Sequence, residues 1–269
     1  MPITCEVKKP LASSGLKTAK FIQFMTSAER IHPRQVLLTG ASGLLGTELR
    51  RLAPDLLAPS HEAFDLTDAA GMADYLANHS ITAVIHAAAT TSPPEVARNP
   101  GSAIRVNIAG TAQLAALCLE AGHRFVYIST DYVFKGDRGL YKETDELLPQ
   151  NAYAWSKLGG ESAAQMVPGA LILRTSFSPA EFPHARAFVD QYTSRDSVTV
   201  IAPIILELAL QPTITGIVHV GTGRKTVRDL ALLLGRTDVG ELRRDEVDFG
   251  VPKDTSLDIS KLNKLLGAL

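Results

Sequence analysis

The sequence predicts an α/β fold, a Rossmann-like doubly wound parallel sheet with a small C-terminal cap. Strand-like and helix-like runs alternate along most of the chain, which is typical of parallel strands joined by crossover helices. Most of the strand-like runs are apolar throughout, as expected where helices cover both faces of a sheet. A glycine-rich turn, GASGLLG at 40–46, joins the first strand to the first helix.

The elements follow from local patterns. The apolar run 35–39 predicts the first strand, and Gly43 opens a helix that ends near residue 52. Gly122 is the expected stop of a long helix before the fourth strand. In chain order the other predicted elements are a short strand at 55–58, a helix at 68–79, a strand at 82–86, a helix at 102–121, a strand at 124–129, a polar loop at 131–150, a helix at 151–166 and a strand at 170–174.

After residue 174 the pattern loosens, because Pro179, Pro183, Pro203 and Pro212 interrupt it. A strand at 215–220 and helices at 227–234 and 257–266 are expected in this part. The predicted organisation is a flexible N-terminal extension (1–34), a Rossmann core (35–176) and a reduced substrate-binding region (177–269) that is interleaved with the last strands of the sheet.

Composition excludes several classes of protein. The 269 residues are 45% hydrophobic, which fits one large domain, and the net charge of −1 gives no argument for binding nucleic acid or a membrane. Cys5 and Cys118 are far apart without a CxxC motif, so we expect no disulfide framework, no metal site and a reducing, cytoplasmic location. No stretch of about 20 apolar residues is expected; the closest, 200–210, is interrupted by Pro203 and Glu207.

The first 34 residues are basic and lack the long apolar segment of a secretory signal. The alternatives are a transit peptide, a disordered extension, or an upstream start codon with Met25 as the functional start. The last two are favoured, because composition alone is weak evidence for targeting.

The glycine-rich turn points to a bound dinucleotide. Gly40, Gly43 and Gly46 fit the pattern GxxGxxG, follow a strand and open a helix. In that context the backbone N–H groups at the helix start bind a pyrophosphate. The alternative is a tight turn that binds no ligand.

The end of the predicted second strand bears on the choice of cofactor. Ser60 and His61 suit a ribose 2′-phosphate, whereas Glu62 suits a 2′-hydroxyl. NADP(H) is therefore preferred, and NAD(H) stays open.

Tyr153 and Lys157 are four residues apart and project from one face of the predicted helix 151–166. A neighbouring ammonium favours ionisation of a phenol, whose ordinary pKa is about 10. Together with a dinucleotide, this pair can reduce a carbonyl. The alternative is an ordinary pair on an amphipathic helix.

A series of motifs resembles the dTDP-4-dehydrorhamnose reductase family of extended short-chain dehydrogenases/reductases. The most specific motif is STDYVF at 129–134, which Tyr141, Glu143, Pro149 and the Tyr153/Lys157 helix follow. Supporting matches run through most of residues 35–266: FDLTD at 64–68, HAAAT at 86–90, VN at 106–107, LILRTS at 171–176 and DTSLD at 254–258.

The resemblance implies NAD(P)H-dependent reduction of a 4-keto-6-deoxy sugar nucleotide. Thr130 would polarise the substrate carbonyl, Tyr153 would be the acid, and Lys157 would hold the nicotinamide ribose and tune Tyr153. The implied cofactor-binding residues are Gly40, Ser42, Gly43, Leu44, Leu45, Gly46, Asp65, Leu66, Ala87, Ala88, Ala89, Thr90, Tyr153 and Lys157. The implied substrate-binding residues are Thr130, Asp131 and Phe177. As alternatives, Thr130 caps a loop, Asp65 is a turn residue and Phe177 packs in the core.

The chain departs from the family pattern at 91–95, at 178–181 and in the short segment between Phe177 and Asp190. These departures leave the sugar open. The nucleotide and the oligomeric state stay open as well, and a homodimer is one candidate for the latter. Two other functions stay open. One is a non-catalytic NADP-binding regulatory subunit resembling the methionine adenosyltransferase beta subunit, and the other is a sugar-nucleotide epimerase or dehydratase.

Overall fold

The computed structural model describes residues 30–247 and 250–268 and contains a five-stranded sheet in the order β1-β2-β3-β4-β5. Neighbouring strands are parallel throughout. The strands are β1 Val36–Thr39, β2 Ala83–His86, β3 Arg124–Thr130, β4 Leu171–Thr175 and β5 Gly216–Val220. Each lies within one residue of its predicted bounds, and the predicted α/β fold is confirmed.

The prediction of a second strand at 55–58 is wrong, because these residues do not form a strand. Only Leu57 pairs, through a single parallel bridge to Leu37 on the free side of β1. The Leu57 N–H donates to the Val36 carbonyl at 3.0 Å, and its carbonyl accepts from the Leu38 N–H at 2.8 Å. Pro54 and Pro59 flank the run, and a proline has no N–H to extend a ladder. The chain still visits this edge before it crosses to β2, so the direction of winding reverses at β1.

Helices cover both faces of the sheet. They are α1 Leu44–Leu52, α2 Ala69–Asn78, α3 Pro93–Arg98, α4 Pro100–Ala103, α5 Thr111–Ala121, α6 Ala152–Gln165, α7 Val198–Leu210, α8 Val227–Leu233 and α9 Ser260–Ala268. Alternate strand residues point to opposite faces: Leu38 packs in the cluster that includes α1 and α7, and Leu37 packs in the cluster that includes α2 and α5. α5 ends at Gly122, which is left-handed (φ 69°) as the predicted stop requires.

Two helices were not predicted. The structure forms α7 through Pro203, which lacks an N–H and was expected to break the run. Ile201, Ile205 and Leu208 of α7 are buried on the sheet, and this packing outweighs the local effect of the proline. α3 was also missed, although Ser92 caps it by accepting from the Glu95 N–H.

The predicted helix 102–121 is irregular and apolar. It begins earlier, at Pro100, and its residues Ile104–Gly110 form a π-helical turn between α4 and α5. Within the described chain, Pro100–Ala121 is long and apolar enough to cross a membrane by length and composition, so the expectation that no such stretch exists was too strict. Here Leu114 and Cys118 are buried against the sheet, as in a core helix.

Beyond β4 the chain adds short strand pairs to the sheet. Phe177–Ser178 pairs with Asp196–Ser197, Tyr192–Thr193 pairs with Lys225–Thr226, and Arg186–Phe188 pairs with Gly240–Leu242. This part also supplies α7 and β5, so it is woven into the layers around the sheet.

The N-terminal segment is described only from Arg30 onward; Cys5, Met25 and the rest of residues 1–29 lie outside the described residues. Arg30 pairs with Glu207 of α7 at 2.7 Å. The Ile31 N–H donates to the Leu210 carbonyl at 3.0 Å. One side-chain ion pair and one backbone hydrogen bond therefore hold residues 30 and 31 on α7.

A buried ion pair fixes α6 on the sheet. Arg174 of β4 donates to Glu161 of α6 at 2.6 Å, and both side chains are at most 1% exposed. Glu161 also accepts from the Ser129 hydroxyl of β3. Removing one partner of a buried pair typically costs about 3–5 kcal/mol, because the other charge stays buried. α6 is thus tied to the ends of β3 and β4, next to Thr130 and Thr175.

Candidate active site

One large cavity, about 1030 Å³ in volume, lies at the carboxyl ends of β1 to β4. Ligands of open α/β sheets bind at this end, near the point where the winding reverses. Every predicted site residue lines this cavity: Gly40, Ser42, Gly43, Leu44, Leu45, Gly46, Asp65, Leu66, Ala87, Ala88, Ala89, Thr90, Thr130, Asp131, Tyr153, Lys157 and Phe177. The fold brings them together, while their individual roles stay predictions.

The glycine turn has two kinds of glycine. Gly40 is left-handed (φ 73°), and a Cβ there would lie 2.6 Å from the Ala88 nitrogen. At Gly46 a Cβ would collide with the Gly40 carbonyl and lie 2.7 Å from the Ala41 Cα. These two glycines are needed for the turn itself. Gly43, by contrast, meets only the Gly40 carbonyl at 3.3 Å, and it forms the N-cap of α1 without a side-chain cap. The backbone here forms an open cradle that fits a pyrophosphate.

The residues that follow the bridge at Leu57 form the candidate 2′-phosphate region of the cavity. Ser60 and His61 line it, whereas Glu62 does not. Asp65 lines the cavity and also accepts from the Thr67 N–H and hydroxyl, at 2.8 and 2.9 Å, so it serves as a turn residue as well. These hydrogen bonds lower the pKa of Asp65.

Arg50 also lines the cavity, although it is not among the predicted site residues. It projects from the exposed last turn of α1. Arg50 lies seven residues after Gly43, about two turns along α1, and therefore on the same side of the helix as the glycine turn. This spacing is a sequence signal that could have identified Arg50 as a cavity residue.

Asn107 joins the segment after β2 to α6. It lies in the π-helical turn and is 1% exposed. Its side-chain amide donates to the Thr90 carbonyl and to the Ser156 hydroxyl, each at 2.9 Å, and its oxygen accepts from the Thr90 N–H at 2.8 Å. π-turns of this kind are frequent at functional sites. In the sequence, Asn107 is marked only by the motif VN at 106–107.

Tyr153 and Thr130 lie together at the carboxyl end of β3. Tyr153 is half-buried, and its ring packs edge-on against Tyr132, with 6.3 Å between centroids. Burial raises the pKa of Tyr153, and the Thr130 hydroxyl and the Arg195 guanidinium oppose the rise. At neutral pH the phenol therefore keeps its proton, as a proton donor must.

Lys157 is buried one helical turn further along α6. Its Nζ lies 4.2 Å from the centroid of the Tyr127 ring. Burial lowers the pKa of Lys157 to about 7, although Glu161 acts in the opposite direction. Lys157 is thus close to losing its charge at neutral pH.

Asp131 is almost completely buried beside Thr130. Its carboxylate accepts from the Thr255 hydroxyl at 2.8 Å and from the Thr130 hydroxyl at 3.2 Å. Burial raises the pKa of Asp131, and Arg195 opposes that shift. Thr255 belongs to the motif DTSLD at 254–258, so this bond ties that motif to the carboxyl end of β3.

Phe177, Ser176 and Arg195 also line the cavity. Phe177 is half-buried; it packs against the hydrophobic core and also lines the cavity. Neither Ser176 nor Arg195 is among the predicted site residues. Ser176 is part of the motif at 171–176, whereas Arg195 lies in an irregular segment without a motif.

Comparison with known proteins gives consistent matches. A family model, the RmlD substrate binding domain, matches residues 34–218. The dTDP-4-dehydrorhamnose reductase of Mycobacterium tuberculosis is 39% identical over 153 residues, which cover 53% of this chain and 50% of that protein. The chain therefore spans about half the length of this curated relative.

Two further similarities extend over more of the chain. A crystal structure described as a hypothetical dTDP-4-dehydrorhamnose reductase from Sulfolobus tokodaii has a TM-score of 0.76 and 30% identity, covering 86% of this chain and 94% of that chain. The methionine adenosyltransferase 2 subunit beta of Rattus norvegicus is 28% identical, covering 90% of this chain and 86% of that protein.

The two kinds of glycine predict different effects of substitution. We expect Gly43→Val to keep a nearly wild-type melting temperature but to weaken NADPH binding about 100-fold or more, ~2.7 kcal/mol, because the side chain blocks the approach of the pyrophosphate. Gly46→Ala should instead lower the melting temperature strongly, since its Cβ collides with the turn. Thermal unfolding and titration calorimetry measure both effects. Wild-type NADPH affinity in Gly43→Val would contradict the assignment.

Burial of Lys157 predicts a pH-dependent gain in stability for Lys157→Met without cofactor. Between about pH 7 and 10.5 the unfolded chain holds a proton on this lysine that the folded chain does not, so stability from this group rises with pH. The free-energy cost of burying the charged Lys157 side chain is therefore largest below pH 7. The variant should melt above wild type at pH 6.5, and its advantage should shrink at pH 9.5.

The control for this experiment is Lys264→Met, an exposed lysine on α9. It should show no such pH trend in thermal unfolding. NADPH affinity should fall only in Lys157→Met. A melting temperature of Lys157→Met below wild type at pH 6.5 would show that burial of the ammonium is not penalised.

Proposed function

Because the chain belongs to the RmlD substrate binding domain family, we propose that it is an NAD(P)H-dependent reductase of a 4-keto-6-deoxy sugar nucleotide. The observation that carries the proposal is one cavity that joins the open glycine cradle of α1 to Thr130, Tyr153 and Lys157. The cradle fits a dinucleotide, and the three side chains fit a carbonyl that receives a proton.

The bound cofactor would supply a hydride from C4 of its nicotinamide to the keto carbon. Tyr153 gives its phenolic proton to the carbonyl oxygen, so that the ketone becomes an alcohol. The Thr130 hydroxyl exchanges its hydrogen bond to Asp131 for one to that oxygen and so orients it. A positioned acid of this kind typically contributes about 10²–10⁴-fold to the rate.

Lys157 has two roles in this proposal. It holds the nicotinamide ribose from the floor of the cavity, and its charge stabilises the phenolate that Tyr153 becomes after proton transfer. With its pKa near 7, the lysine can also return a proton to Tyr153 at neutral pH. Asn107 supports both residues indirectly, because it fixes Ser156 on the same helix.

We further propose a preference for NADPH over NADH. Arg50, Ser60 and His61 line the end of the cavity where the adenosine ribose would lie. An arginine and a hydroxyl suit a 2′-phosphate, whereas Glu62, the group suited to a free 2′-hydroxyl, does not face the cavity.

A regulatory subunit is the second candidate. One observation favours it: the rat methionine adenosyltransferase beta subunit aligns over a larger share of this chain than the M. tuberculosis reductase does. Such a protein would bind cofactor tightly, reduce no ketone and co-purify with a larger enzyme. The complete set of Thr130, Tyr153 and Lys157 in one cavity favours catalysis.

Removal of the phenolic hydroxyl tests the proposed reaction. Tyr153→Phe should lower turnover about 100-fold or more while NADPH affinity stays within about twofold, because the ring is kept and only the acid is lost. The measurement is NADPH oxidation with a panel of 4-keto-6-deoxy sugar nucleotides.

Tyr132→Phe is the matched control, since it removes the hydroxyl of the neighbouring ring and should reduce turnover far less. Turnover of Tyr153→Phe at the wild-type rate, with cofactor release excluded as the slow step, would rule out Tyr153 as the acid. Tight NADPH binding without turnover on any ketone would favour the regulatory subunit.

Arg50 tests the cofactor preference. Arg50→Ala should weaken NADPH binding by about tenfold or more and leave NADH binding unchanged, as expected for a hydrogen bond between charged groups. Arg51→Ala is the control, because Arg51 pairs with Glu48 at 2.7 Å and does not line the cavity. Equal losses for both cofactors in calorimetric titrations would place Arg50 away from the 2′-phosphate.

A further inference from the structure

The ring of Tyr127, in the middle of β3, lies against the side chain of Lys157. Tyr127 is fully buried and does not line the cavity, whereas Lys157 does. We propose that Tyr127 is a positioning residue of the reaction: its ring binds the Lys157 ammonium and keeps that positive charge in the cavity lining, one turn of α6 from Tyr153. The inference rests on the proposed function, which it extends to a residue that acts through Lys157.

Tyr127 holds Lys157 at two points. Its hydroxyl donates to the Lys157 backbone carbonyl at 3.0 Å, and its ring centroid lies 4.2 Å from the Nζ of the same residue. The helix can approach this closely because position 160 is a glycine, where a Cβ would lie 2.6 Å from the Tyr127 hydroxyl oxygen. The hydroxyl therefore fixes the backbone of α6 on β3, and the ring meets the ammonium at a set distance.

The ammonium has few other partners. Lys157 Nζ forms no hydrogen bond or ion pair with the described residues. Glu161 acts on its charge from one turn further along α6, but Glu161 is itself paired with Arg174 at 2.6 Å. The face of an aromatic ring attracts a cation, and the attraction is stronger where water is excluded. The ring therefore supplies stabilisation that a buried ammonium otherwise lacks.

The groups around Lys157 leave it as the one whose charge changes near neutral pH. Burial lowers the pKa of His86, on β2, to about 3. Burial raises the pKa of Tyr127 and that of Tyr153, so all three neighbours are uncharged at neutral pH. Burial lowers the pKa of Lys157 to about 7, against the effect of Glu161. A contact that favours the ammonium, as the ring does, moves the loss of its charge to higher pH.

The proposed reaction depends on that charge, because the ammonium stabilises the phenolate that Tyr153 becomes. Turnover is then fully present below the pKa of Lys157 in the loaded enzyme, and it is lost as the pH rises through that value. Removing the attraction of the ring should move this loss to lower pH. A cation–π contact at a desolvated site is strong enough for a shift of about one pH unit.

The test varies the ring at position 127 and measures the pKa of Lys157 by NMR titration of lysine isotope-labelled at Cε. The Lys157 signal is assigned by its absence in Lys157→Met. Tyr127→Phe keeps an aromatic face and should leave the pKa nearly unchanged. A ring-fluorinated phenylalanine at the same position has almost the same size but a weak aromatic face, and it should lower the pKa by about one pH unit. Tyr127→Leu, without a ring, should lower it at least as much.

Turnover gives the second readout, measured as NADPH oxidation with a 4-keto-6-deoxy sugar nucleotide. Relative to Tyr127→Phe, the fluorinated variant should lose little turnover below the pH at which turnover declines. Above that pH it should lose about tenfold, because a shift of one pH unit changes the charged fraction of Lys157 tenfold there. A purely structural defect would lower turnover by the same factor at every pH.

Phe125→Leu is the matched control. Phe125 lies two residues earlier on the same face of β3 and is as fully buried as Tyr127, and its ring packs against His86 with 5.8 Å between centroids. The control should lower the melting temperature without moving the titration of Lys157. If it lowers the pKa of Lys157 as much as Tyr127→Leu does, loosening of the core is the cause and the proposal is wrong.

An unchanged pKa of Lys157 in the fluorinated variant and in Tyr127→Leu also overturns the proposal. A lowered pKa with the same loss of turnover at every pH overturns the role in the reaction. Failure of the proposed function has a different signature. If wild type reduces no ketone but the lysine signal moves as expected, the contact between ring and ammonium stands and the reductase proposal fails. If wild type reduces a ketone and the lysine signal does not move, the reverse holds.

Discussion

The attachment of α6 to the sheet is the constraint on which the candidate site depends. Tyr153, Lys157 and Glu161 follow one another at intervals of four, so they share one face of this helix. Glu161 is fixed by Arg174 of β4 and Ser129 of β3, and this buried network sets where the row lies relative to the strand ends. Because Glu161 is fixed in this way, the helix is held in the position that places Tyr153 beside Thr130.

Close backbone contacts set the other half of the site. Gly40 brings the turn against Ala88, and Gly160 of α6 brings that helix against the π-helical turn, where a Cβ would lie 2.5 Å from the Asn107 carbonyl. Asn107 then holds Thr90 and Ser156 together. The segment after β2 and α6 are thereby joined through one buried amide.

The sequence predicts the parts of the fold that local pattern determines. The five sheet strands, α6 and the stop at Gly122 follow from apolar runs and from glycine, and the predicted site residues meet because they follow the carboxyl ends of adjacent parallel strands. Residues 55–58 and α7 could not be predicted in the same way. In the folded chain, residues 55–58 form a single bridge to β1 and not a strand. The packing of α7 on the sheet allows that helix to continue through Pro203. Arg195 and Arg50 belong to no motif, and only the folded chain places them in the cavity.

The distribution of charge around Tyr153 explains why a second cation is useful there. Lys157 is buried on the Tyr127 ring, and with a pKa near 7 it cannot carry a full positive charge throughout the neutral range. Asp131 and Tyr132 disfavour a phenolate at Tyr153, whereas Arg195 favours one. An arginine keeps its charge throughout the neutral range. The charge of Arg195 therefore lowers the energy of a phenolate at Tyr153 also at pH values at which Lys157 has lost part of its charge.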